Sequence, residues 1–259
     1  MDYPRNEFTH SLRRGDKQVG LWISLASNFA AEVVAPAGFD WALIDMEHGH
    51  NDYACVLSQL QAFAPYDTVP IVRPDWNDAI AVKRLMDIGA PGFLFPMIQS
   101  VEEAERAVAA TRYPPRGIRG VAGGTRATKF GRVKDYAENV EKETAVLLQI
   151  ETRAALEQAE AIAAVDGVTG LFFGPADIAA DIGLLGQPTS KEVWDEIRPV
   201  ARRVMDMGVP VGTLVSDVEL AADLLNDGFT FVACGTDTGL LARGSDTLLA
   251  TVQGKIKQG

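Results

Sequence analysis

Eight short runs of apolar and β-branched residues recur along the chain, each closed by glycine, proline or polar residues, and this rhythm constrains the fold more than any other feature. The runs are GLWISL (20–25), WALID (41–45), VPIVRP (69–74), GFLFPM (92–97), AVLLQIE (145–151), GLFFGP (170–175), VPVGTL (209–214) and FTFVACG (229–235). Between and after them, apolar residues recur with helical spacing over 30–35, 53–63, 79–88, 101–110, 154–164, 193–207, 218–225 and 237–252. Strands that are apolar on both faces and alternate with helices form a parallel sheet covered by helices. Eight such units in 259 residues predict one α/β domain over 1–259, a (β/α)8 TIM barrel. In AGF, IGA, MGV and DGF a glycine stands between a helix and the next strand, where a left-handed cap is needed. An open doubly wound sheet would want a glycine-rich phosphate fingerprint after its first strand. ASNFAAE stands there instead.

One stretch breaks the rhythm. Residues 112–144, RYPPRGIRGVAGGTRATKFGRVKDYAENVEKET, form a long irregular excursion between the fourth helix and the fifth strand. Loops of this length inside a compact domain are functional or mobile. Arg116, Arg119, Arg126, Lys129, Arg132 and Lys134 make it the most basic part of the chain. It either lies over an anionic substrate or forms a solvated or oligomer-contacting surface.

Charge narrows the partners. The 24 basic residues against 35 acidic ones give a formal charge of −11 without any basic stripe, so nucleic acid is not an expected partner. No apolar run reaches the roughly 18 residues of a membrane span. The N-terminal MDYPRNEFTHSLRRGD lacks the apolar core of a signal peptide, so a cytoplasmic protein is expected. Cys55 and Cys234 lie far apart with no CxxC context, which reads as two buried reduced thiols.

In a barrel of this kind the reactive groups stand at the C-terminal ends of the strands. The second run, continuing as LIDMEHGH (43–50), delivers Asp45, Glu47 and His48; the third delivers Arg73, the fifth Gln149 and Glu151, the sixth GPAD (174–177), the seventh Thr213 and Leu214. Two carboxylates, Glu151 and Asp177, suit a hard divalent cation such as Mg2+ or Mn2+. Each also has a simpler reading: Asp177 as a helix N-cap, Glu151 as a negative charge at the start of a helix. An aspartate at position 45 accepting from one nitrogen of the His48 imidazole would leave the other free for proton transfer. A solvated or structural histidine is the alternative there, and is the reading for His10 and His50. Arg73 either holds a carboxylate or ketone oxygen by a forked bond or pairs with a rim carboxylate such as Asp45. Gly174, Pro175 and Ala176 present backbone at a helix start, a favourable place for a carboxylate, and Gln149 adds a neutral hydrogen bond. Such a set suits a 2-oxo acid bound through its carboxylate and keto oxygen.

GLWISLASNFAAEVVAPAGFDWALIDMEHGHND, VRP, PRGIRGVAGGTRA, QIET and GPADIAADIG, in that order over most of the chain, closely resemble the HpcH/HpaI class II aldolases, a family of metal-dependent, pyruvate-using lyases. The resemblance implies a barrel that exchanges its last helix with a neighbour and assembles as a homohexamer, a trimer of swapped dimers. It implies that Glu151 and Asp177 bind Mg2+, Mn2+ or Co2+, that Arg73 contacts the keto oxygen, and that His48 with Asp45 manages the proton of the aldol hydroxyl. Gln149, Gly174, Pro175 and Ala176 would line the pyruvate position, Trp22 and Leu214 would border the aldehyde side, and Asp87 would reach a neighbouring subunit's site. Two departures stand out. Met46 occupies a position that is often glycine in relatives, and VAGGTRA replaces a serine-containing version; the first touches packing behind the site, the second acceptor specificity.

The activity this implies is reversible cleavage of a 4-hydroxy-2-oxo acid to pyruvate, or hydroxypyruvate, and an aldehyde. No Schiff-base lysine is expected, because Lys83, Lys129 and Lys134 fall in predicted helix or loop as solvated charges. The alternatives are a citrate-lyase-β-like lyase acting on acyl-CoA thioesters and a catalytically silent barrel that serves as a binding protein.

Overall fold

The computed structural model describes Met1 and residues 3–256. Its strands are β1 (Gln18–Ile23), β2 (Trp41–Asp45), β3 (Val69–Arg73), β4 (Gly92–Phe95), β5 (Ala145–Ile150), β6 (Gly170–Phe173), β7 (Val211–Leu214) and β8 (Phe231–Thr236). They pair in parallel, each with its neighbours in sequence, and β8 closes on β1. The expected (β/α)8 barrel is therefore the observed one. The first run lies two residues further toward the N-terminus than its apolar pattern suggests, and the sixth stops at Phe173.

The helices are α1 (Glu7–Arg14), α2 (Asn28–Val34), α3 (Tyr53–Phe63), α4 (Ala79–Asp87), α5 (Val101–Thr111), α6 (Tyr136–Glu143), α7 (Arg153–Ala163), α8 (Pro175–Asp181), α9 (Lys191–Asp206), α10 (Val218–Asn226) and α11 (Asp237–Lys255). Side chains of Ser27, Asp52, Ser100, Thr152 and Asp217 accept a backbone N–H in the first turn of the helices they precede, each worth about 1 kcal/mol. Gly38, Gly89, Gly208 and Gly228 adopt the left-handed conformation where a helical segment hands over to a strand, as their sequence positions imply.

Alternation along the strands sorts the core into two layers. Trp22, Leu43, Ile71, Leu94, Leu147, Phe172 and Phe231 fill the barrel interior. Ile44, Val72, Phe93, Leu148 and Phe173 point outward and pack under the helices. Helix α1, absent from the sequence reading, plugs the N-terminal end of the barrel: the Phe8 ring lies 5.5 Å from Trp41 and 5.9 Å from Phe231.

The excursion over 112–144 contains a second unexpected helix, α6. Arg112 Nη1 lies 2.8 Å from Asp166 Oδ2, Arg119 Nη2 lies 3.1 Å from Asp87 Oδ1, and Arg126 Nη1 donates to the Ile88 carbonyl at 2.7 Å. Those partners stand at the end of α4 and in the turns that lead into β4 and β6. The excursion is thus fastened to the N-terminal end of the barrel, and these anchors do not place it over this chain's own strand C-termini. Its arginines are consumed by local partners, which is why its basic composition misleads.

Cys55 and Cys234 are free and half-buried rather than fully buried. Helix α11 contacts the barrel chiefly at its root; Leu240, Leu241, Leu248, Leu249 and Val252 are 49–67% exposed. Among the described residues, no helix is long and apolar enough to cross a membrane.

Candidate active site

The C-terminal ends of the strands bring together most of the residues the sequence singles out. Asp45 closes β2 and faces Arg73, its register partner at the end of β3. Its carboxylate, 1% exposed, accepts from Arg73 Nε at 2.9 Å and Nη2 at 2.8 Å, and from the Trp22 indole N–H at 3.1 Å. The Arg73 guanidinium also stands 5.0 Å from the Trp22 ring. Burial alone would raise the Asp45 carboxyl, but the Arg73 hydrogen bonds and charge outweigh it, helped by the Trp22 and His48 N–H groups, and hold it below the ordinary value. Of the two roles open to Arg73, pairing with Asp45 is present in this structure.

The expected contact between Asp45 and the His48 imidazole is not. Asp45 Oδ1 instead accepts the backbone N–H groups of Glu47 at 3.0 Å and His48 at 3.3 Å, an aspartate-centred turn. That turn sends the imidazole outward: the His48 side chain is 72% exposed, with Nε2 3.8 Å from Glu47 Oε2. Asn51 braces the same turn by donating to the Asp45 carbonyl at 2.6 Å.

Glu47 is the residue that sequence reasoning underused. Its Oε2 lies 2.6 Å from Arg73 Nη1, so one guanidinium sits between two carboxylates. Burial pushes the Glu47 carboxyl up, against the pull of Arg73 and His48. The signal available was its position, two residues past the end of an apolar strand.

Glu151, just beyond β5, is 3% exposed, and its Oε1 is buried with no hydrogen-bond partner. Burial, then the nearby negative charges of Asp177 and Glu47, push its carboxyl up to about 8, while Arg73 and the Met97 backbone N–H act in the opposite direction. Asp177 is not the N-cap of α8: Gly174 holds that place, Pro175 follows at the first helical position, and Asp177 stands in the first turn. A Cβ on Gly174 would lie 2.9 Å from Glu151 Cγ and 3.5 Å from Gln149 Nε2, so glycine lets the backbone approach these side chains closely. Gln149 Oε1 is likewise buried without a partner. Pro175 is buried and Ala176 exposed, while Leu214 is half-buried at the end of β7. Thr213 donates to the Phe173 carbonyl at 2.9 Å, which makes it structural.

Glu151, with its unshared buried oxygen, and the exposed Asp177 close by form a carboxylate donor set that fits a hard cation. Among the described residues, no three His, Cys, Asp or Glu side chains are grouped as a complete metal cage. Asp87 stands apart, paired with Arg119 at the opposite end of the barrel. Lys83 lies on α4, and Lys129 and Lys134 in the excursion, away from this rim.

A closed parallel barrel whose strand C-termini gather acidic groups, an arginine and an amide is a (β/α)8 enzyme scaffold. The chain belongs to the HpcH/HpaI aldolase/citrate lyase family, whose model matches residues 18–244. It is 52% identical over 250 residues to the pyruvate aldolase of Rhizobium etli, covering 96% of this chain and 98% of that protein. It is 47% identical over 247 residues to the 4-hydroxy-2-oxo-heptane-1,7-dioate aldolase of Salmonella paratyphi B, covering 95% and 94%. Among solved structures, an HpcH/HpaI aldolase/citrate lyase family protein from Burkholderia cenocepacia J2315 superposes with a TM-score of 0.92 at 38% identity, covering 96% of this chain and 99% of that one.

Proposed function

We propose that this chain is a divalent-metal-dependent aldolase that reversibly cleaves a 4-hydroxy-2-oxo acid to pyruvate, or hydroxypyruvate, and an aldehyde. The observation that carries the reading is Glu151, a buried carboxylate with a partnerless oxygen, pushed up to about 8 beside Asp177 and Glu47. Its relatives named as aldolases, at 47–52% identity, support the same class.

Glu151 and Asp177 are the residues that would hold the cation, with the rest of its shell supplied from outside the chain. A bound Mg2+, Mn2+ or Co2+ supplies Lewis-acid polarisation of the C2 carbonyl and offsets the charge that develops on its oxygen. Gln149, Gly174, Pro175 and Ala176 line the pyruvate half.

Arg73 grips Asp45 through Nε and Nη2 and faces Glu47 through Nη1, and the N–H groups left over on Nη1 and Nη2 donate to the keto oxygen. The His48 imidazole, free of Asp45, takes the C4 hydroxyl proton; the C3–C4 bond breaks, the aldehyde departs, and the electron pair passes toward the C2 oxygen. A proton delivered to C3, matched by release of the one His48 took up, then gives pyruvate and returns the imidazole to its neutral form. Asp45 contributes by fixing the His48 backbone and the Arg73 plane. Trp22 and Leu214 border the aldehyde side.

The uncovered apolar face of α11 supports assembly with further copies of this chain, as a hexamer built from helix-swapped dimers, in which Asp87 reaches a neighbour's site. The protein acts on small molecules in the cytoplasm.

The test is pyruvate release from a panel of 4-hydroxy-2-oxo acids, using metal-stripped protein before and after adding Mg2+, Mn2+ or Co2+. Metal-restored release is expected. No release, and no aldol product in the reverse direction, would move acyl-CoA thioester cleavage ahead.

A further inference from the structure

The rim loop after β1 is held by a carboxylate that no part of the proposed reaction uses. Asp237, at the root of α11, is 5% exposed. Its Oδ1 accepts the backbone N–H of Ser24 at 2.9 Å and of Thr238 at 2.7 Å, and its Oδ2 accepts that of Leu25 at 3.1 Å. The first and third of these bonds cross from the end of β8 to the end of β1.

An irregularity in the barrel aims this side chain. Gly20 pairs with Ala233 but Trp22 pairs with Thr236, so two steps along β1 match three along β8. The extra residue is a β-bulge, a device that redirects a side chain at a barrel rim.

The loop that Asp237 holds touches the catalytic turn. A Cβ on Gly49 would lie 3.3 Å from Ser24 Cα and 2.4 Å from the Asp45 carbonyl oxygen. Gly49 therefore packs its bare backbone between Ser24 and Asp45, one residue from His48. Asp45 fixes the first half of that turn through the Glu47 and His48 N–H groups. Ser24 backs its second half.

We infer that Asp237 is a positioning residue for the His48 turn. It sets Ser24, Ser24 backs Gly49, and Gly49 sets where the exposed imidazole of His48 stands. The inference rests on His48 being the group that takes the hydroxyl proton. Because Asp237 is also the first residue of α11, the order of the rim and the seating of that helix depend on the same carboxylate.

Asp237→Asn replaces one accepting oxygen with an NH2 that faces an N–H, so a loop amide loses its acceptor. Hydrogen–deuterium exchange on the full-length protein should then quicken at residues 24–26 and also at 47–51. Aldol cleavage should fall roughly tenfold, the scale of one lost buried hydrogen bond. Oxaloacetate decarboxylation, which needs no hydroxyl deprotonation, should stay within about twofold of wild type on the same reasoning. Unchanged exchange at 47–51, or an equal fall of both reactions, overturns the inference. If Asp237→Asn does not fold, Leu25→Pro deletes one donor at an exposed position, leaves Asp237 in place and carries the same test. A wild-type protein without aldol activity overturns the proposed reaction instead, and the exchange at 47–51 then decides the positioning by itself.

Discussion

Arg73 and Asp45 stand opposite one another in the β2–β3 register, and the guanidinium grips the carboxylate through two hydrogen bonds of 2.9 and 2.8 Å. Both side chains are almost wholly buried, so the pair is strong only while both members are charged and bonded. Asp45→Asn leaves Arg73 with an uncompensated share of buried charge. Breaking such a pair costs about 3–5 kcal/mol, which in a chain of this size lowers Tm by roughly 10 °C. Thermal unfolding followed by circular dichroism measures this, and a Tm within about 2 °C of wild type would show that the pair is not structural.

His48→Ala separates the two halves of the proposed chemistry. The imidazole is 72% exposed and makes no contact with Asp45 through its ring, so its removal leaves the Asp45–Arg73 pair in place. Loss of a positioned base costs about 100-fold or more in rate. Aldol cleavage should therefore fall by that amount while oxaloacetate decarboxylation persists. Steady-state rates of both reactions on one preparation decide it, and equal losses would take the proton-transfer role away from His48.

How much of this was legible depends on how local each signal is. The barrel was, because parallel strands declare themselves as short apolar runs and the glycines at 38, 89, 208 and 228 mark the returns. Helix α1 was not: EFTHSLRR buries only Phe8, Thr9 and Leu12, and its support comes from Trp41 and Phe231, which lie far away in sequence. At the rim, position at a strand end was enough to pick out Asp45, Arg73, Glu151 and Asp177. The spacing of Asp45 and His48 suggested a ring contact, whereas the chain turns so that the backbone N–H meets the carboxylate. Trp22 and Asp237 act across 23 and 212 residues respectively, distances over which no pattern in the sequence speaks.

Glu151 gives the metal-free protein a specific pH dependence. Its folded-state value of about 8 stands above the ordinary 4.5, so folding favours the protonated form. The resulting stability is present in full below the ordinary value and is lost as pH rises through about 8, an effect on the order of a few kcal/mol. In chelator, Tm should fall between about pH 5 and pH 8.5, and a divalent cation should restore it at the upper end. Glu151→Gln carries a neutral group throughout, so its decline should be shallower and its response to cation lost. Differential scanning calorimetry of both proteins across that range checks this. Identical pH slopes, with cation stabilisation retained in the variant, would remove Glu151 from the metal site.

The last helix tests assembly without touching the rim. Leu241, Leu248 and Val252 recur at positions 0, 7 and 11 of a helical repeat, which places them on one stripe of α11, and all three are 49–67% exposed. A stripe of this kind left bare is covered in solution by something apolar, and a second copy of the same chain presents the same stripe in return. Leu241→Asp with Leu248→Asp puts charge into that contact while leaving the barrel core intact, because α11 buries only Asp237 within its own chain. Analytical ultracentrifugation should show a smaller particle than wild type, with the melting of the barrel little changed. An unaltered sedimentation coefficient would mean that α11 lies outside the subunit contacts.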